Sequence, residues 1–186
     1  EVVLVTVTGA LVAAAFLFLV FRGAQSRISR QTVELVEATR RDPLTALANH
    51  GALLATLASR IEHARDVTEP IAVALVDVDG FRLLNESHGH GAGDEALQKT
   101  AQLLGGVFDD SAVIGRYGPD EFLIIVEGAA VSTLESSVER LRSLLATDAL
   151  RVEFSERLPV TVIAGIANYP IDAEAVTPLL ASAVQA

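Results

Sequence analysis

Residues Ile71 to Val78 read IAVALVDV, six apolar residues without a break and then Asp77 and Val78. The run has the length of a strand and no polar face, which predicts a central strand rather than a surface one. Outward from it, helical and extended patterns alternate. Before it, Leu53 to Arg65 carries Leu53, Leu54, Leu57, Ile61 and Ala64 in helical phase; after it, Gly93 to Val107 carries Leu97, Ala101 and Leu104. Ala112–Tyr117 and Phe122–Val126 are short apolar runs around Gly118-Pro119, a gap that leaves room only for a hairpin. Val131–Ala146 reads as helix, Val160–Ala167 as strand and Ala175–Ala186 as a last helix. The order β-α-β-β-α-β predicts an α+β fold of ferredoxin-like or palm type, an antiparallel sheet with helices over one face.

Composition narrows the function. The chain has 186 residues, a formal net charge of −10 and no Cys. No Lys/Arg run with interleaved aromatics occurs, which argues against a nucleic-acid partner. The lack of Cys removes disulfides, thiolate nucleophiles and Cys-based zinc sites. An acidic protein can still bind nucleotides when a divalent cation bridges its carboxylates to phosphates. The chain starts with Glu and contains no Met, so it is expected to be a piece of a longer protein.

The apolar excess sits at the start. Val2 to Phe21 carries no charge and is broken only by Thr6, Thr8 and Gly9. As a helix this run spans about 30 Å, the thickness of a bilayer core. Arg22, Arg27 and Arg30 follow it rather than precede it, which disfavours a signal peptide and predicts a cytoplasmic side beyond the span. Residues 1–22 are thus expected to be a single span in the cell membrane and 23–41 a helical stalk. Ile28, Leu35 and Asp42 fall seven apart, compatible with a parallel dimer stalk or with a solvated connector. Asp42-Pro43 ends the pattern, and 42–186 is the folded domain.

Carboxylates gather at the predicted strand ends. Asp77 and Asp79 flank Val78 and are expected on opposite faces of the sheet; Asp120 and Glu121 follow the hairpin turn. If the two strands are neighbours, Asp77 and Asp120 converge on one spot faced by the Val78 carbonyl. Two carboxylates and a carbonyl form a hard-oxygen site for Mg²⁺, which completes its shell with waters and substrate phosphates. Acidic residues also crowd turns for solubility. His88 and His90 have no third ligand partner, and their Gly-rich surround reads as a loop rather than a zinc site.

Taken in order, Asp42-Pro43-Leu44-Thr45, Asp77-Val78-Asp79-Gly80-Phe81, Asn85, Gly89-His90, Gly93-Asp94-Glu95, Arg116-Tyr117-Gly118-Pro119-Asp120-Glu121-Phe122 and Val160-Thr161-Val162 with Gly165-Ile166-Ala167 resemble the GGDEF family over residues 40 to 186. The resemblance implies condensation of two GTP into cyclic di-GMP, on a homodimer in which each domain holds one GTP. By motif, Asp77, the Val78 carbonyl and Asp120 would hold Mg²⁺ or Mn²⁺ on the triphosphate. Glu121 would sit beside the ribose 3′-hydroxyl, Asn85 and Asp94 would read the guanine, and Gly118 would bring backbone against the nucleotide. Upstream sensory or downstream phosphodiesterase domains are expected companions of such a domain.

The chain departs from the family pattern in several places. Pro119 replaces the signature's second Gly; a type II′ turn with positive φ at Gly118 would accept it, at the loss of one N–H. Ala46 stands for a family Gly and His50 for a family Arg. The phosphate-contacting Lys of the last helix does not occur before Ala186. The family's Arg-x-x-Asp product-inhibition motif falls on Asp109 and Ala112, so both halves are absent. Pro119 and the missing C-terminal Lys favour, as an alternative, a weak or inactive module that binds guanine nucleotide or relays a signal by dimerising.

Overall fold

β1 (Ile71–Val78) is paired on both edges, antiparallel to β3 (Glu121–Glu127) and to β6 (Val162–Tyr169). With β2 (Val113–Arg116) beside β3, the sheet runs β2-β3-β1-β6, the ferredoxin-like order. This computed structural model describes residues 40–147, 150–151 and 157–186. The expected membrane span and stalk lie on residues outside these, save for the stalk's last two. Arg40–Ala186 forms one compact unit, and Arg41 already pairs with Ala48. Among the described residues no helix is long and apolar enough to cross a membrane.

The sheet is covered on both faces, not on one. Ala72, Ala74, Val76 and Val78 of β1 pack toward Leu97 and Leu104 of one helix and Leu141 and Leu145 of another. Ile71, Val73 and Leu75 pack toward Leu53, Leu57, Leu179 and Leu180. The reason lies in β1 itself. A strand apolar at six consecutive positions loses roughly 1.5–3 kcal/mol for each large side chain left exposed, so each face needs its own cover.

The helices are α1 (His50–Val67) and α5 (Val176–Gln185) on one face, with α3 (His90–Val107) and α4 (Leu134–Thr147) on the other. Asn49 caps α1, its side chain accepting from the Ala52 N–H at 2.9 Å. Two features went unanticipated. α2 (Phe81–His88) lies where the sequence pattern predicts no element, and α3 begins three residues before Gly93, so His88 and His90, expected in a loop, end one helix and start the next. Gly89, at φ 81, makes the corner between them. A small hairpin, β4 (Leu150–Arg151) with β5 (Arg157–Leu158), precedes β6.

Candidate active site

The β1–β3 register sets Asp77 directly across from Glu121. The Val78 N–H donates to the Asp120 carbonyl at 3.0 Å, which seats Asp120 at the shoulder of the same strand end. Burial, then Asp120, then Asp79 raise the Asp77 pKa above the ordinary carboxylate value. Burial, then Asp77, then Asp120 do the same for Glu121. Asp77, Asp120 and Glu121 therefore converge, and Asp79 is close enough to add to the charge. The expectation that Asp77 and Asp79 take opposite faces fails, because residues two apart on a strand share a face; it is Val78 that turns to the other side. Asp79 lies just past β1, its carboxylate accepting from the Thr161 hydroxyl at 3.1 Å.

The donor set suits a hard cation. Partly buried carboxylates that repel one another gain from a nearby divalent ion. Among the described residues, no three His, Asp or Glu side chains form a complete metal cage. Mg²⁺ takes one or two carboxylates and fills its shell with water and phosphate oxygens. The two histidines are exposed and join no such group.

The hairpin loop differs from the expected type II′ turn. Tyr117 N–H donates to the Glu121 carbonyl at 2.8 Å and Gly118 N–H to the same oxygen at 3.2 Å, leaving a loop of Gly118, Pro119 and Asp120. Gly118 is not among the residues with positive φ. A Cβ at Gly118 would meet the Glu121 carboxylate, which folds back over it. A three-residue loop lets Pro119 sit at the exposed tip without the tight-turn geometry.

A second cluster lies where α2 meets α3. The Asn85 side chain, projecting from α2, lies against Gly93, where a Cβ would collide with its amide. The Asn85 Oδ1 is buried without a hydrogen-bond partner. Asp94 follows Gly93 and is exposed in the second turn of α3. The amide and the carboxylate thus flank one corner, brought there by close helix packing.

One further side chain contacts the hairpin loop. Arg116 donates from Nη2 to the Pro119 carbonyl at 2.6 Å, and its Nη1 lies 3.4 Å from the Asp42 carboxylate. Its only signal in the sequence is its place two residues before Gly118. At the other end of the domain, Asp109 accepts from the Ser111 hydroxyl and amide, which hold its pKa below the ordinary value.

A sequence profile described as "Diguanylate cyclase, GGDEF domain" matches residues 39–186. Diguanylate cyclase DosC of Escherichia coli K12 is 31% identical over 153 residues, 80% of this chain and 33% of DosC. A diguanylate cyclase of Vibrio cholerae is 33% identical over 113 residues, 61% of this chain and 35% of the relative. The chain therefore spans about a third of the length of these curated relatives. Among solved structures, the GGDEF domain of DgcB from Caulobacter crescentus, in complex with c-di-GMP, is similar with a TM-score of 0.73 at 28% identity, covering 78% of this chain and 86% of that one.

Proposed function

Because this chain belongs to the GGDEF family of diguanylate cyclase domains, we propose that it joins two GTP molecules into cyclic di-GMP, releasing two pyrophosphates. The observation that carries this reading is Asp77 facing Glu121 across β1–β3 with Asp120 beside them. In each of two steps the 3′-oxygen of one GTP bonds to the α-phosphorus of the other, and the bond to pyrophosphate breaks. Glu121 takes the hydroxyl proton, a role that its raised affinity for protons favours. Asp77, Asp120 and the Val78 carbonyl would hold Mg²⁺ or Mn²⁺, which when bound neutralises triphosphate charge.

At the α2–α3 corner, Asp94 accepts from the N1 and N2 hydrogens of guanine, and the Asn85 amide pairs with its O6 or N7. Gly118 lets the nucleotide approach bare backbone. Each domain holds one GTP, so the active species is a homodimer. With Asp109 and Ala112 in place of the family's inhibitory pair, product feedback at that position is lost, because an acid cannot pair with phosphate. Residues 1–22 anchor the domain on the cytoplasmic side through one span, alongside any sensory or phosphodiesterase domains. Reporter fusions after Asp42 that light up only outside the cytoplasm would contradict that topology.

A second reading is favoured by Pro119. It removes one N–H from the loop, and the Gly118 N–H is already committed to Glu121. A module so altered could bind guanine nucleotide, or dimerise to relay a signal, with little turnover. Incubation with GTP and Mg²⁺, followed by mass spectrometry, separates the two. Cyclic di-GMP supports the cyclase; bound GTP without product supports the relay.

A further inference from the structure

Proline at the tip of the hairpin removes a donor and leaves an acceptor, and the structure uses that acceptor. The Arg116 Nη2 reaches the Pro119 carbonyl at 2.6 Å, a short charge-assisted contact. The guanidinium is itself held from outside the hairpin. Its backbone N–H donates to the Ala48 carbonyl at 2.8 Å. Its Nη1 lies 3.4 Å from the Asp42 carboxylate, which Thr45 fixes through N–H and hydroxyl, both at 2.8 Å. The Arg116 side chain is only 20% exposed, and its Nε is buried without a partner. A guanidinium so desolvated is tolerated only while its acceptors hold.

We infer that Arg116 is a positioning residue: by gripping the Pro119 carbonyl it fixes the loop and so aims the adjoining Asp120 and Glu121 carboxylates. The inference rests on the reading of those carboxylates as the site. The planar fork is required, since Nη1 and Nη2 serve two different segments and a single ammonium cannot span both.

The test uses the full chain and two readouts, ¹⁵N order parameters at Gly118, Asp120 and Glu121, and the kcat and KM for GTP with Mg²⁺. Arg116→Gln should drop the loop order parameters from about 0.85 to below about 0.6. It should lower kcat roughly ten- to a hundredfold with KM nearly unchanged, because the α2–α3 corner is untouched. Arg116→Lys should recover only part of both effects. Asp42→Asn leaves the Pro119 contact in place and should cost less than about fivefold. A loop that stays ordered in Arg116→Gln, or full recovery in Arg116→Lys, overturns the inference. If the unmutated chain makes no cyclic di-GMP, the cyclase reading falls, and the order parameters still decide the role of Arg116.

Discussion

The carboxylate end of β1–β3 and the α2–α3 corner are built by different physics. At the first, the strand register fixes who faces whom: Asp77 meets Glu121 because seven consecutive pairs from Ile71–Glu127 onward leave no other choice. Partial burial first, and the neighbouring like charges second, raise the pKa values of Asp77 and Glu121. At the second, nothing in the backbone ladder dictates the meeting. Asn85 reaches its place only because Gly93 has no side chain. The difference teaches that one site tolerates little change in charge and the other little change in shape.

The sharpest way to break the comparison is at the charged site. Glu121→Gln keeps shape and removes the base, and turnover should fall about 10²- to 10⁴-fold while GTP still binds. Steady-state kinetics beside a binding titration checks this; unchanged turnover would remove the base from Glu121.

At the shaped site the expected effects are smaller. Gly93→Ala pushes the Asn85 amide aside, and Asp94→Asn removes one acceptor of guanine's hydrogens. Each should lower the preference for GTP over ATP about tenfold. The Ala variant should melt no lower, because Ala suits a helix better than Gly. Equal binding of both nucleotides by the unmutated chain would refute the guanine reading.

Stability should distinguish the regions again. Asp77 and Glu121 bind protons more tightly folded than unfolded. Their contribution is therefore complete below the unfolded carboxylate value of about 4 and is lost as pH rises through their raised values. Without metal at neutral pH, Asp77→Asn should raise Tm, and Mg²⁺ should raise the Tm of the unmutated chain. Thermal melts across that window check the sign, and identical curves for both chains would contradict it. The smallest effect is expected at Pro119→Gly, which frees the unfolded chain by about 0.4–1 kcal/mol and should lower Tm by roughly 1–4 °C. Its cyclase rate should rise as the lost N–H returns. A large fall in Tm would mean that the loop depends on the proline ring.

Legibility in the sequence follows the same division. The sheet order and the approach of Asp77 to Asp120 could be read from apolar runs and a short hairpin gap, whereas the place of Glu121 came from the family resemblance. Cover on both faces was implicit in a strand with six apolar residues in a row, yet alternation of elements along a chain does not say which face each helix takes. α2 escaped notice because FRLLNESH is short, enters through Gly80 without a side-chain cap, and runs into a glycine-rich string. The turn at Gly118 was misjudged because counting residues between apolar runs does not reveal a carbonyl shared by two N–H groups. Arg116 was invisible as a contact, since its partners lie in Asp42 and Pro119, one of them 74 positions away.

The central claim is that the charged end handles a metal-bound triphosphate, and calorimetric titration of GTP with and without Mg²⁺ tests it most directly. Removing Mg²⁺ should weaken binding at least about tenfold, and Asp120→Ala should erase the Mg²⁺ dependence. GTP affinity that is the same with Mg²⁺, without it, and in Asp120→Ala would contradict the account.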